Sequence, residues 1–150
     1  MGKFARVWWL VVVMSTGAGA SALADEPASV AWHTDMASAW SKSCQHGRPL
    51  LLFVTCENCK FCDRMKGGTY SRPEVAEMIN RSFVPLVLDG RSESPLVKEL
   101  KVSYYPSTFI ISPQAVILAR FDGYVSPEDL ARRLTVLQMP SSIPNVAQGQ

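Results

Sequence analysis

Short apolar runs separated by polar turns organise this chain. Leu50, Leu51, Leu52, Phe53 and Val54 follow one another with no polar interruption. A run this short, without alternation, fits a strand covered on both faces, as in an α/β sheet. Before it, from Asp35 on, Met36, Ala39 and Trp40 recur at helical spacing, and Cys44 continues the row as a buried apolar position. Gly47 and Pro49 stop that helix. A short strand around residues 30–32 is also expected.

Beyond residue 62, Gly67 and Gly68 are expected to interrupt a helix. Ser71 or Arg72 caps the next helix, with Pro73 in its first turn and Val75, Met78 and Ile79 on its apolar face. Residues 83–88 read as a second strand, and residues 95–100 as a short helix with Leu96, Val97 and Leu100 inward. Residues 109–111 and 115–121 read as two further strands. Ser126, Pro127, Glu128 and Asp129 open a last helix that buries Leu130, Leu134 and Leu137. The order predicts an α/β domain over residues 25–137: a mixed sheet of four to five strands with helices on both faces.

The ends read differently. Lys3 and Arg6 precede an apolar run over residues 7–14, and Ala22, Leu23 and Ala24 follow. That order predicts a signal peptide over residues 1–24 with cleavage after Ala24. The run is too short to span a bilayer of about 30 Å, so no stable membrane insertion is expected after cleavage. Residues 138–150 read as a flexible polar tail. Removing Lys3 and Arg6 from 15 basic residues leaves 13 against 13 acidic ones. A neutral chain without a basic stripe argues against nucleic-acid binding. Export, periplasmic or extracellular, puts the four cysteines where disulfides persist.

Three of those cysteines, Cys56, Cys59 and Cys62, form a C-x-x-C-x-x-C ladder just after the apolar run. A strand that delivers a C-x-x-C pair to a helix start is a setting for thiol–disulfide exchange. Either Cys56 and Cys59 or Cys59 and Cys62 satisfies that spacing. Cys44 is a candidate partner for Cys56. There is no Ser/His/Asp set, no carboxylate pair with a readable role and no glycine-rich phosphate loop.

The chain resembles the thioredoxin superfamily, in particular its secreted thioredoxin-like C-x-x-C proteins. Trp32, Ala39, Pro49, Leu50, Phe53, Cys59, Cys62, Met65, Pro73, Glu74, Val75, Asn80 and Phe83 carry the likeness. Tyr105, Pro106, Ser107 and Thr108 resemble that superfamily's cis-proline loop. Asn58 departs from it where many members have Trp, and Cys56 is an extra thiol. The resemblance implies a thioredoxin-like fold and a thiol–disulfide oxidoreductase that exchanges disulfides with protein substrates and a redox partner protein. It pairs Cys59 with Cys62, since Met65 then completes the superfamily's C-x-x-C-x-x-M. Cys59 is the nucleophile, with a pKa lowered by the helix start, and Cys62 resolves. Tyr105 and Pro106 bind substrate, and Cys56 is an auxiliary thiol that can serve as a second resolving group. No cofactor and no metal ligand belong to this reading. The alternative is a copper- or zinc-binding protein that uses the thiol ladder on the same fold. The residues leave the direction of exchange open between reductase, oxidase and isomerase.

Overall fold

The computed structural model describes residues 28–91 and 95–138. The expected signal peptide and the tail beyond Gln138 lie outside the described residues. Helix α1 (Met36–His46) begins at Asp35, whose side chain accepts the Ser38 N–H, and ends at Gly47 in the left-handed region with φ 62°. That cap geometry needs a residue without a Cβ penalty, and glycine provides it. Strand β1 (Leu50–Thr55) follows directly.

The next helical stretch departs from expectation. Helix α2 (Lys60–Arg64) does not break at Gly67 and Gly68; it widens into a π-helical turn, Met65–Thr69. The glycines sit within that turn, where their backbone freedom lets the coil expand instead of ending it. Helix α3 (Pro73–Ser82) starts with Pro73 in its first turn, and strand β2 (Val84–Asp89) comes after it. Helix α4 (Pro95–Glu99), strand β3 (Ser107–Ile111), strand β4 (Ile117–Asp122) and helix α5 (Pro127–Gln138) complete the order. Gln138, the first residue of the expected tail, is the last residue of α5. Ser126 caps α5 by accepting the Asp129 N–H at 3.2 Å.

The sheet order is β2-β1-β3-β4. Strand β1 runs parallel to β2 and antiparallel to β3, with Leu52 opposite both Leu86 and Phe109. Among the described residues four strands form, and the expected strand at 30–32 is reduced to a single bridge from His33 to Leu86. The Asn80 side chain holds that lead-in by bonding Ala31 N and Ser29 O. Strand β4 begins two residues later than expected, because Ala115 turns with φ 63° and Ser112 closes the turn onto Val116.

Helices cover both faces. Ala39 of α1 and Val97 of α4 pack with Leu50, Leu52, Val54 and Phe109. Cys62, Met65, Ile79, Leu130 and Leu134, from α2, the π turn, α3 and α5, pack with Leu51, Phe53 and Ile110. The two sets alternate along β1 because successive side chains of a strand point to opposite faces. Cys44 does not continue the buried row of α1. It is exposed, and Ser43 is buried in its place, donating to Arg48 O at 2.7 Å. Ala39 and Ser43 lie four residues apart on one helix face, and Cys44 is rotated about 100° away from it.

Leu52→Ala should therefore lower stability by about 2–5 kcal/mol, as expected for truncating a buried leucine. In urea titrations the midpoint falls while the slope is kept. An unchanged midpoint would show that the sheet does not depend on this position.

Candidate functional site

Cys56, Cys59 and Cys62 stand where β1 leaves the sheet. The backbone turns through Glu57 and Asn58, with Asn58 at φ 56°, and enters α2 at Cys59. Cys59 is the N-cap, and its Sγ accepts the Cys62 N–H at 3.2 Å. A sulfur in that place satisfies one of the amides that every helix start leaves unpaired. Cys59 and Cys62 are joined by a disulfide with Cα atoms 5.2 Å apart. Cys59 is half-buried, while Cys62 is fully buried against Phe53, Met65 and Tyr70. Of the two C-x-x-C choices, this is the pair that the resemblance to thioredoxins implied.

Cys56 carries a free thiol and is half-buried. Its sulfur and those of Cys59 and Cys62 all lie within 4.8 Å of one another. Cys44 is also free. The alternative role of Cys44, a bridge to Cys56, does not form, because α1 packs on one face of the sheet and the three sulfurs sit toward the other. Cys44 instead points at Pro113 O, 3.8 Å away.

The loop before β3 faces the disulfide side of the sheet. The Tyr105–Pro106 peptide bond is cis, and Pro106 is buried with its carbonyl accepting the Gly123 N–H at 2.7 Å. Tyr105 is half-buried and donates to Gly90 O at 3.2 Å. Its ring lies on Gly90, where a Cβ would collide with it. Phe61, Tyr104, Tyr105, Asp122, Gly123 and Tyr124 line a groove of about 460 Å³ beside α2. Phe61 and Tyr104 are 59% and 68% exposed, unusually bare for large apolar and aromatic side chains. Arg64 stacks 4.3 Å over the Tyr124 ring and fixes one wall. A larger groove of about 760 Å³ lies between α1, α4 and β4, on the sheet face away from the sulfurs, and has no part in their chemistry.

Sequence reasoning passed over Tyr70, which ties the two halves of the site together. Its ring meets Trp32 and Phe53 edge-on, at 4.9 and 5.0 Å between centroids. Its hydroxyl shares a buried 3.0 Å hydrogen bond with Thr108, two residues after Pro106. Burial pushes the Tyr70 phenol above its ordinary range, and the Thr108 bond offsets part of that. Ser107 Oγ, which donates to Tyr104 O or Asp122 Oδ1, each at 2.7 Å, was likewise unforeseen. A lone Tyr after two glycines carries no sequence signal; its role depends on where the π turn puts it. Glu57 and Arg91 approach at 3.4 Å on the surface, where such pairs contribute little. The imidazole of His33 lies off the sulfur cluster, with its pKa lowered by desolvation and by the Lys42 charge.

Residues 36–138 match the family model of the thioredoxin-like domain. The chain belongs to the thioredoxin-like domain family. No curated protein matches it. Among solved structures it is similar to a thioredoxin from Thermus thermophilus, with 21% identity, a TM-score of 0.64, and 74% of this chain and 88% of that one covered. It is similar to the DsbH oxidoreductase at 21% identity and a TM-score of 0.61, covering 75% of this chain and 88% of that one. The oxidised C-terminal domain of DsbD from Neisseria meningitidis aligns at 18% identity and a TM-score of 0.57, over 71% and 98% of the two chains. At such identities the likeness is one of fold. The thioredoxin-like domain here thus combines that fold with a C-x-x-C disulfide at the start of a helix. Among the described residues no helix is long and apolar enough to cross a membrane.

The buried phenol gives a pH test of this thioredoxin-like core. A group whose folded pKa is raised contributes stability that is present below its unfolded pKa and lost as pH rises above it. Stability should therefore decline above about pH 10, the unfolded tyrosine value. Tyr70→Phe should remove the part of that decline due to Tyr70 and cost about 1 kcal/mol at neutral pH through the lost bond to Thr108. Denaturant titrations from pH 8 to 11 on both proteins check this. Identical pH slopes would rule it out.

Proposed function

We propose that this chain is an exported thiol–disulfide oxidoreductase acting on protein disulfides. One observation carries the reading: a Cys59–Cys62 disulfide whose first sulfur caps a helix and is half-exposed, while the second is buried behind it. In the reduced protein, the Cys62 N–H and the helix start favour negative charge on Cys59 Sγ. The Cys59 thiolate attacks one sulfur of a substrate disulfide, and the other leaves as a thiolate. Cys62, held one turn away, then attacks Cys59 Sγ, closes the internal disulfide and releases the second substrate thiol. The reverse sequence oxidises a dithiol substrate.

The groove beside α2 supports a peptide substrate. Phe61, Tyr104 and Tyr105 offer apolar and aromatic surface to an extended chain lying next to Cys59. Pro106, buried in that loop, has no N–H to offer a competing ladder. One solved structure of similar fold carries the name oxidoreductase, which favours the same chemistry. The tripartite N-terminus, with its A-x-A end, supports export and processing after Ala24.

The three converging sulfurs favour one second reading, a thiolate site for Cu(I) in the reduced protein. Zinc fits less well, since a closed tetrahedral site needs a fourth ligand and none joins the cluster among the described residues.

The mature protein, reduced and freed of metal, should exchange disulfides with insulin and with glutathione, and equilibration in glutathione buffers reads its reduction potential. Cys59→Ser should fall to background, and Cys44→Ser, altered only at an exposed site remote from the sulfurs, should keep the parent rate. A protein inactive without stoichiometric metal, or an active Cys59→Ser, would overturn the redox reading.

Protein isolated from the producing cell should begin at Asp25 when sequenced from its N-terminus. A retained Met1 would overturn export by cleavage.

A further inference from the structure

The geometry points to Cys56 as a second resolving thiol that clears substrate from Cys59 and then hands the disulfide to Cys62. This inference rests on Cys59 being the nucleophile, as proposed above. It is carried by the three-sulfur cluster, in which the free Cys56 thiol lies within 4.8 Å of both sulfurs of the Cys59–Cys62 bridge.

The backbone between Cys56 and Cys59 supports the pairing. The chain folds back at Glu57 and Asn58, with the left-handed φ of 56° at Asn58 reversing its direction. A four-residue turn brings its end Cα atoms within about 7 Å. A disulfide spans about 4.4–6.8 Å between Cα atoms, so these cysteines can bridge with little movement. Access favours Cys56 as well. Cys56 is half-buried at the mouth of the site, whereas Cys62 has no exposed surface. A substrate chain on Cys59 leaves Cys56 beside the bond to be broken.

The steps balance. With Cys59 joined to a substrate sulfur, the Cys56 thiolate attacks Cys59 Sγ. The Cys56–Cys59 bond forms, the Cys59–substrate bond breaks, and the electron pair leaves on the substrate sulfur, which takes up a proton. The Cys62 thiolate then attacks Cys59 Sγ, the Cys59–Cys62 bond forms, and Cys56 departs as a thiolate and is reprotonated. Cys59 and Cys62 end oxidised by two electrons, and the substrate disulfide ends reduced by two. Cys56 begins and ends as a thiol, so no further oxidant or reductant enters.

The test compares Cys62→Ser with Cys56→Ser/Cys62→Ser, each reduced and then mixed with oxidised glutathione. Non-reducing mass spectrometry follows the glutathione adduct with time. In Cys62→Ser the adduct on Cys59 should decay into a mapped Cys56–Cys59 disulfide. In the double variant it should persist at least about tenfold longer, because only a resolving thiol held in place gains from proximity. Cys56→Ala in the Cys62→Ser background should behave like the double serine variant, which separates loss of the thiol from an effect of serine. Equal adduct lifetimes in the single and double variants would overturn the relay and leave the parent reading intact. Failure of the double variant to capture glutathione on Cys59 would overturn both.

Discussion

Burial of β1 on both faces is the constraint on which this molecule depends. Leu50, Leu51, Leu52, Phe53 and Val54 are each at most 1% exposed. Fully burying such a side chain contributes about 1.5–3 kcal/mol, so β1 anchors the fold. Its two neighbours then follow. β2 must come from beyond a crossover helix because it runs parallel, and β3 can approach from the loop side because it runs antiparallel. The cysteines inherit their position from this arrangement. Cys56 and Cys59 occupy the first residues after β1 leaves the sheet, where the chain is still held but side chains reach solvent, and Cys62 is buried behind them.

A second layer of organisation joins the disulfide to the loop that faces it. Tyr70 sits on the helical side and Thr108 on the sheet, and their hydrogen bond crosses the core beneath the site. Trp32 and Phe53 close around the same ring. Aromatic edges packed this way resist sliding, since their preferred geometry is directional. On the solvent side Tyr105 lies on Gly90 and bonds its carbonyl, which ties the end of β2 to the loop at Pro106. The site is thus packed from below, while the groove beside α2 opens to solvent above.

The four cysteines show how little residue type says about environment. Cys44 and Cys56 are both free, yet one lies exposed on a helix and the other stands within 4.8 Å of a disulfide. Sequence spacing ranks Cys44 as a core residue and leaves Cys56 ambiguous. The helix rotation that buries Ser43 exposes Cys44, and the left-handed turn at Asn58 brings Cys56 back upon Cys59.

The sequence by itself determined the element order, the both-sided burial of β1, the caps at Gly47 and Ser126, and the presence of a cysteine pair at a helix start. Those features are local: periodicity, capping and turn chemistry act over a few residues and are legible there. Resemblance, not spacing, selected Cys59 with Cys62 over Cys56 with Cys59. The tertiary structure decided what depends on residues far apart in the chain. It put Tyr70 under Thr108, Tyr105 on Gly90, and Ser43 rather than Cys44 in the core. It also let Gly67 and Gly68 widen a helix that their propensity alone would end, because the flanking Met65 and Thr69 are buried and hold the coil from both sides. Propensity describes a segment in isolation, whereas packing compares it with everything it touches, and here packing prevailed.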